Sequence, residues 1–156
     1  MGQSAPLKFV AMDAIQEMIQ AVTNFESRKD ALLLDLVRYN EAAVISMNVD
    51  DQLYQGIDAE GKEVAPPYQP STVRHKIRNG RPYDRVTLRD EGDFHASFFV
   101  RYDADQFALD ATDYKKQWLD RKYTPKIYGL TPANIDRLSA MIRERFVEEA
   151  RKIILG

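Results

Sequence analysis

The first third of the chain repeats apolar residues every three or four positions. Met12, Ile15, Met18, Ile19, Val22 and Phe25 form one stripe, and Leu33, Leu36, Val37, Asn40, Val44 and Met47 continue as a second series. That spacing marks amphipathic helix, and neither glycine nor proline interrupts the chain from Leu7 to Leu53. The polar stretch Glu26-Ser27-Arg28-Lys29-Asp30 separates the two series. The pattern predicts two consecutive helices, or one long helix bent near Asn24 to Ser27, where Asn24 or Ser27 caps a new start. About 40 helical residues at ~1.5 Å each reach roughly 60 Å. A compact domain of this size needs less, so part of this region is expected to project toward a neighbour.

The pattern then changes. Asp58-Ala59-Glu60-Gly61 reads as a turn between short extended pieces, and Ala65-Pro66-Pro67-Tyr68-Gln69-Pro70 as extended chain, because proline pushes its predecessor out of helical geometry. Ser71 is expected to cap a short helix that runs through Arg78 and stops at Asn79-Gly80. Phe94 to Tyr102 alternates apolar and polar positions as a half-buried strand does, with His95 on the solvated side. After a turn at Asp103 to Gln106, Phe107, Leu109 and Ala111 resume the alternation, which predicts a β-hairpin. Thr131-Pro132 opens a final helix with threonine as cap and proline at the first helical position. Its apolar face is Ile135, Leu138, Met141, Ile142, Phe146, Ala150 and Ile153. The fold class is therefore α+β: a long N-terminal helical region and a C-terminal helix around a small antiparallel hairpin. The 156 residues are read as a single domain, with residues 1–8 as a flexible tail.

Composition narrows the function more by exclusion than by indication. With 44% hydrophobic and 29% charged residues the chain reads as an ordinary soluble globular protein. A formal net charge of −2 provides no global field toward nucleic acid or an anionic membrane. The absence of cysteine rules out disulfides, thiol catalysis and cysteine-ligated zinc. The opening residues lack the apolar run of a secretory signal, and the expected location is cytoplasmic where the protein is made.

No nucleophile elbow, phosphate-binding glycine loop or dinucleotide fingerprint is present. No catalytic residue, cofactor or metal is assigned. Asp90, Asp93 and His95 are the one set that could hold a divalent cation, but Asp90-Glu91-Gly92-Asp93 reads better as turn chemistry. Charge is uneven in one place. Arg74, Lys76, Arg78, Arg81, Arg85 and Arg89 face a single acid, Asp84, whereas Asp90 to Asp110 is acidic with only Arg101 in opposition. The basic run is a solvated face pairing with its acidic neighbour, a contact between protomers, or a phosphate-binding patch with Tyr83 available to stack. On the second of these readings, reversing Arg85 and Arg89 to glutamate impairs assembly more than folding. The segment from Tyr114 to Tyr123 gathers the only tryptophan, Trp118, with two tyrosines and four cations. It is either an interface anchor or a short helix that buries Trp118 and Leu119. The interface candidates are thus Arg74, Lys76, Arg78, Arg85, Arg89, Asp90, Asp93, Trp118 and Tyr123. Leu88 and Phe94 are expected to anchor the intervening loop.

Asp51-Gln52-Leu53-Tyr54-Gln55-Gly56-Ile57-Asp58 and Gly61, followed by Tyr68-Gln69-Pro70-Ser71-Thr72 with Lys76 and Gly80, resemble a family of tailed-phage and prophage virion-morphogenesis proteins. Arg85 to Phe94 with Ser97, and Gly129-Leu130-Thr131, extend that resemblance. The resemblance implies a structural part of the neck, head–tail connector or tail-completion assembly. Such a protein self-associates into rings, binds other virion proteins (portal, connector or tail), and has no catalytic residues. It would be a virion component made in the cytoplasm of an infected bacterium. A nucleic-acid-binding accessory protein using Arg74 to Arg89 is the alternative, and a metal-dependent hydrolase at Asp90, Asp93 and His95 comes third.

Overall fold

The computed structural model of the chain describes residues 7–156, and side chains from residue 12 onward. The expected N-terminal tail lies outside the described residues except for Leu7 and Lys8, which open the first helix. The architecture is α+β, with helices α1 (Leu7–Tyr39), α2 (Glu41–Val49), α3 (Pro70–Arg78), α4 (Asp93–Ala96), α5 (Lys116–Tyr123) and α6 (Pro132–Leu155). Strands β1 (Phe98–Tyr102) and β2 (Phe107–Ala111) form an antiparallel hairpin in which Val100 faces Leu109. An isolated bridge between Ile57 and Glu63 closes the turn around Gly61.

The long helix does not bend where its polar stretch suggested. Thr23 Oγ1 donates to the Ile19 carbonyl, Ser27 Oγ donates to the Asn24 carbonyl, and Asn24 Oδ1 accepts from Gln20 Nε2. These side chains bond back along the helix instead of capping a new one. The break falls at Asn40, whose side-chain amide donates to the Leu36 carbonyl at 2.8 Å. Two further expectations need correction. Helix α3 starts two residues earlier than a Ser71 cap requires, with Gln69 at the cap position and Pro70 at the first helical position. The strand expected from Phe94 begins only at Phe98, because Gly92 takes φ +104 and residues 93–96 close one helical turn. Ser97 ends that turn by donating its hydroxyl to the Phe94 carbonyl. The alternation is in phase from Phe98 onward, but in this turn Phe94 and His95 are both buried and Ala96 is exposed.

One apolar cluster joins these pieces. Val44, Met47, Leu53 and Ile127 are fully enclosed, and Val37, Val86, Leu88, Phe94, Phe98, Val100, Leu109, Leu119 and Leu138 pack around them. Phe94, Phe98 and Tyr128 form an aromatic group, with ring centroids 5.2 Å apart for Phe94 and Phe98 and 5.5 Å for Phe98 and Tyr128. Two buried amides tie the end of α2 to the start of α6. Asn48 donates to the Ile127 carbonyl and accepts from the Gly129 amide. Gln52 donates to the Gly129 carbonyl and accepts from the Thr131 amide and from Asn134 Nδ2. Gly129 adopts φ +120, and a Cβ there would lie 3.2 Å from Ala59 Cβ, so the clamped loop needs glycine. Thr131 caps α6 by accepting from the Asn134 amide.

Fixed at its start, α6 runs back along α1: Leu138 joins the core near Val37, while Phe146 meets Phe25 with centroids 6.1 Å apart. The two helices therefore form an antiparallel arm that leaves the body.

Asn48→Ala removes both amide contacts and strands the Ile127 carbonyl and Gly129 amide. We expect a loss of about 2–4 kcal/mol, read as a lower denaturant midpoint at unchanged slope. A midpoint equal to that of the parent would show that the amide does not hold the loop.

Candidate interaction surfaces

The arm carries an apolar face without a partner among the described residues. Met12, Ile15, Met18, Ile19 and Val22 remain between 45% and 70% exposed, although their spacing continues the face that packs on α6 lower down. At the far end of α6, Leu155 is also exposed. Scattered surface aliphatics are ordinary, but a stripe of five on one helix face marks a contact surface. Burying a large aliphatic side chain is worth about 1.5–3 kcal/mol. Covering five that are roughly half exposed would contribute on the order of 6 kcal/mol per copy.

The basic run is largely engaged within its own fold. Lys76, expected on an interface, is buried: its ammonium donates to the Arg89 carbonyl at 2.7 Å and lies 4.8 Å from the centre of the Tyr68 ring. Arg81 pairs with Asp90. Arg85 donates to the Tyr54 carbonyl at 2.8 Å and pairs with Asp84 at 3.0 Å. The guanidinium groups of Arg85 and Arg89 both lie over the Tyr54 ring. Reversing Arg85 would therefore strike the fold as well as any contact with a neighbour. Arg74 and Arg78, on α3, are exposed and have no acidic partner among the described residues. Asp93 is exposed at the start of α4.

The aromatic segment divides its roles. In α5, Leu119 and Tyr123 enter the core, so Tyr123 is no surface anchor, while Trp118 stays 58% exposed with the Lys122 ammonium 4.9 Å from its ring. Lys76, Asp90, Trp118 and Tyr123, candidates far apart in sequence, line one cleft of about 220 Å³ between α3 and α5. Arg85 and Arg89 point elsewhere: Arg85 lines a groove against Val64 and Tyr83, and Arg89 lines one against α2.

The loop between α3 and α4 is held from inside. The Tyr68 hydroxyl accepts from the Thr87 and Leu88 amides at 2.9 and 3.1 Å. Leu88 adopts φ +52, a left-handed conformation that is strained for a branched side chain, and is kept there by these bonds and by its burial. His95, expected on a solvated face, is buried instead, with Nε2 donating to the Thr87 carbonyl at 2.8 Å and Nδ1 enclosed without a partner among the described residues. Asp90 faces Arg81 and His75, so Asp90, Asp93 and His95 do not converge. Among the described residues no group of three or more His, Asp or Glu could hold a metal ion. No helix there is long and apolar enough to cross a membrane. The buried amides Asn48 and Gln52, which position α6, escaped the sequence reading: the residues are polar, and only their i,i+4 spacing beside an apolar helix hinted at a role.

Comparison with known proteins finds no matching family model, no matching curated protein and no matching solved structure.

Burial, and secondarily the Arg89 charge, hold the His95 imidazole below its ordinary value of 6.5. The unfolded chain then binds a proton that the folded chain refuses. Stability is full above about pH 6.5 and falls as pH drops through that value toward the lower folded pKa. His95→Gln keeps a donor for Thr87 and removes the titration. We expect its denaturant midpoint to lose part of the decline below about pH 6.5; an identical decline in parent and variant would clear His95 of the effect.

Proposed function

We propose that this protein is a non-enzymatic structural component of a tailed-phage particle, at the neck, head–tail connector or tail-completion stage. It acts by self-association and by binding other virion proteins. The observation that carries the assembly reading is the apolar stripe at the end of the arm, which has no partner among the described residues. A freely soluble monomer gains nothing from holding five large aliphatic side chains in water at the tip of a long helix. A protein that docks onto copies of itself does, because association must overcome roughly 4–15 kcal/mol of lost freedom and ordering. Paired stripes supply interaction of that order.

The phage setting rests on the resemblance carried by Asp51 to Ser97, and with it the location in the virion and, during assembly, in the infected host's cytoplasm. Nucleic-acid binding through Arg74 to Arg89 is the alternative, and the exposed Arg74 and Arg78 have no acidic partner among the described residues. It has less support, since Lys76, Arg81 and Arg85 are committed to contacts inside the fold.

Light scattering of the full chain at low and high salt tests the reading. We expect a mass above that of the monomer which persists in high salt, because apolar contact is not screened. Ile15→Glu with Ile19→Glu should return it to a folded monomer whose melting temperature no longer depends on concentration. A parent that is monomeric at every concentration and binds duplex DNA in a steeply salt-dependent way would favour the alternative.

A further inference from the structure

The cleft between α3 and α5 combines features that the assembly reading does not use. Its lining is largely apolar and aromatic, with the buried Leu88 and Phe94, Tyr68 and the exposed Trp118 among its residues. Lys76 also lines it, although only 3% of that residue is exposed. Buried ammonium groups are normally matched by a carboxylate, because removing the charge from water is costly. Here, among the described residues, no carboxylate answers it. One of its three N–H donors is taken by the Arg89 carbonyl and the charge rests against the Tyr68 ring. Two donors remain. The nearest acid in the cleft, Asp90, is already paired with Arg81. At the rim, Lys115 and Lys122 lie over aromatic rings and have no acidic partner among the described residues. The cleft is thus positive, apolar and lacking one anion.

We propose that this cleft binds a protein segment that presents a carboxylate beside an aromatic or large aliphatic side chain. The carboxylate meets the Lys76 ammonium, and the apolar side chain packs against Trp118, Leu88 and Phe94. A volume of about 220 Å³ suits one such side chain with its neighbour's carboxylate, not a folded domain. Charge complementarity selects the acid, and the aromatic wall selects the residue next to it.

Trp118 is the only tryptophan, so its emission reports on the cleft directly. The probe is N-acetyl-Glu-Phe-amide, titrated to millimolar concentration into the full chain, with N-acetyl-Lys-Phe-amide and inorganic phosphate as parallel probes. We expect saturable change in Trp118 emission with the acidic peptide and none with the lysyl peptide. Lys76→Met should weaken binding by about ten-fold or more. Lys122→Gln, which leaves the buried ammonium in place and serves if Lys76→Met fails to fold, should weaken it about two- to three-fold. Absence of a saturable response to the acidic peptide overturns the proposal. So does equal affinity for phosphate alone, which would remove the apolar half of the site, or unchanged binding in folded Lys76→Met.

Discussion

Two buried amides decide where the last helix of this protein goes. Asn48 and Gln52 occupy successive turns at and just beyond the end of α2, and between them satisfy the Ile127 and Gly129 carbonyls and the Gly129 and Thr131 amides. Backbone groups this deep must find partners, and the loop has no sheet to supply them. The amides act as the missing strand. With the loop fixed, Thr131 caps α6 in one direction only, and that direction lays α6 along α1. The projecting arm is a consequence of a polar contact in the core, not of anything at its own tip.

Much of this was legible from spacing alone. The stripes of α1 and α6, the hairpin with its turn at Asp103 to Gln106, and the Thr131-Pro132 start are periodic or punctuated, and periodicity survives without tertiary context. What misled was polar chemistry that can act in two ways. Asn24 and Ser27 could cap a helix or bond back along it, and only the continuous packing of α1 decides for the second. Asn40 looked like one more stripe position and is the break. His95 looked solvated because the alternation was begun at Phe94, four residues before the strand and inside the helical turn of α4 that the left-handed φ of Gly92 allows. The candidate site shows the same division. Trp118 and Leu119 are neighbours in sequence with opposite fates, and no pattern reveals that Lys76, Asp90 and Trp118 share a cleft.

The structure also changes the meaning of the charge asymmetry. As sequence, the arginines between Arg74 and Arg89 suggested a patch facing outward. Folded, Arg81, Arg85 and Arg89 hold the loop against Asp90 and Tyr54 while Arg74 and Arg78 stay exposed, and two other open surfaces are an apolar stripe on the arm and a basic, aromatic cleft on the body. These two surfaces lie on different elements and call for different chemistry.

The measurement that bears most directly on the account is amide hydrogen exchange across α1 as protein concentration is raised. The amides of residues 12–22 should exchange quickly in dilute solution and become progressively protected as copies associate, while those of α2, already enclosed, stay unchanged. Exchange in residues 12–22 that is equally fast at every concentration would contradict an arm built to bind other copies.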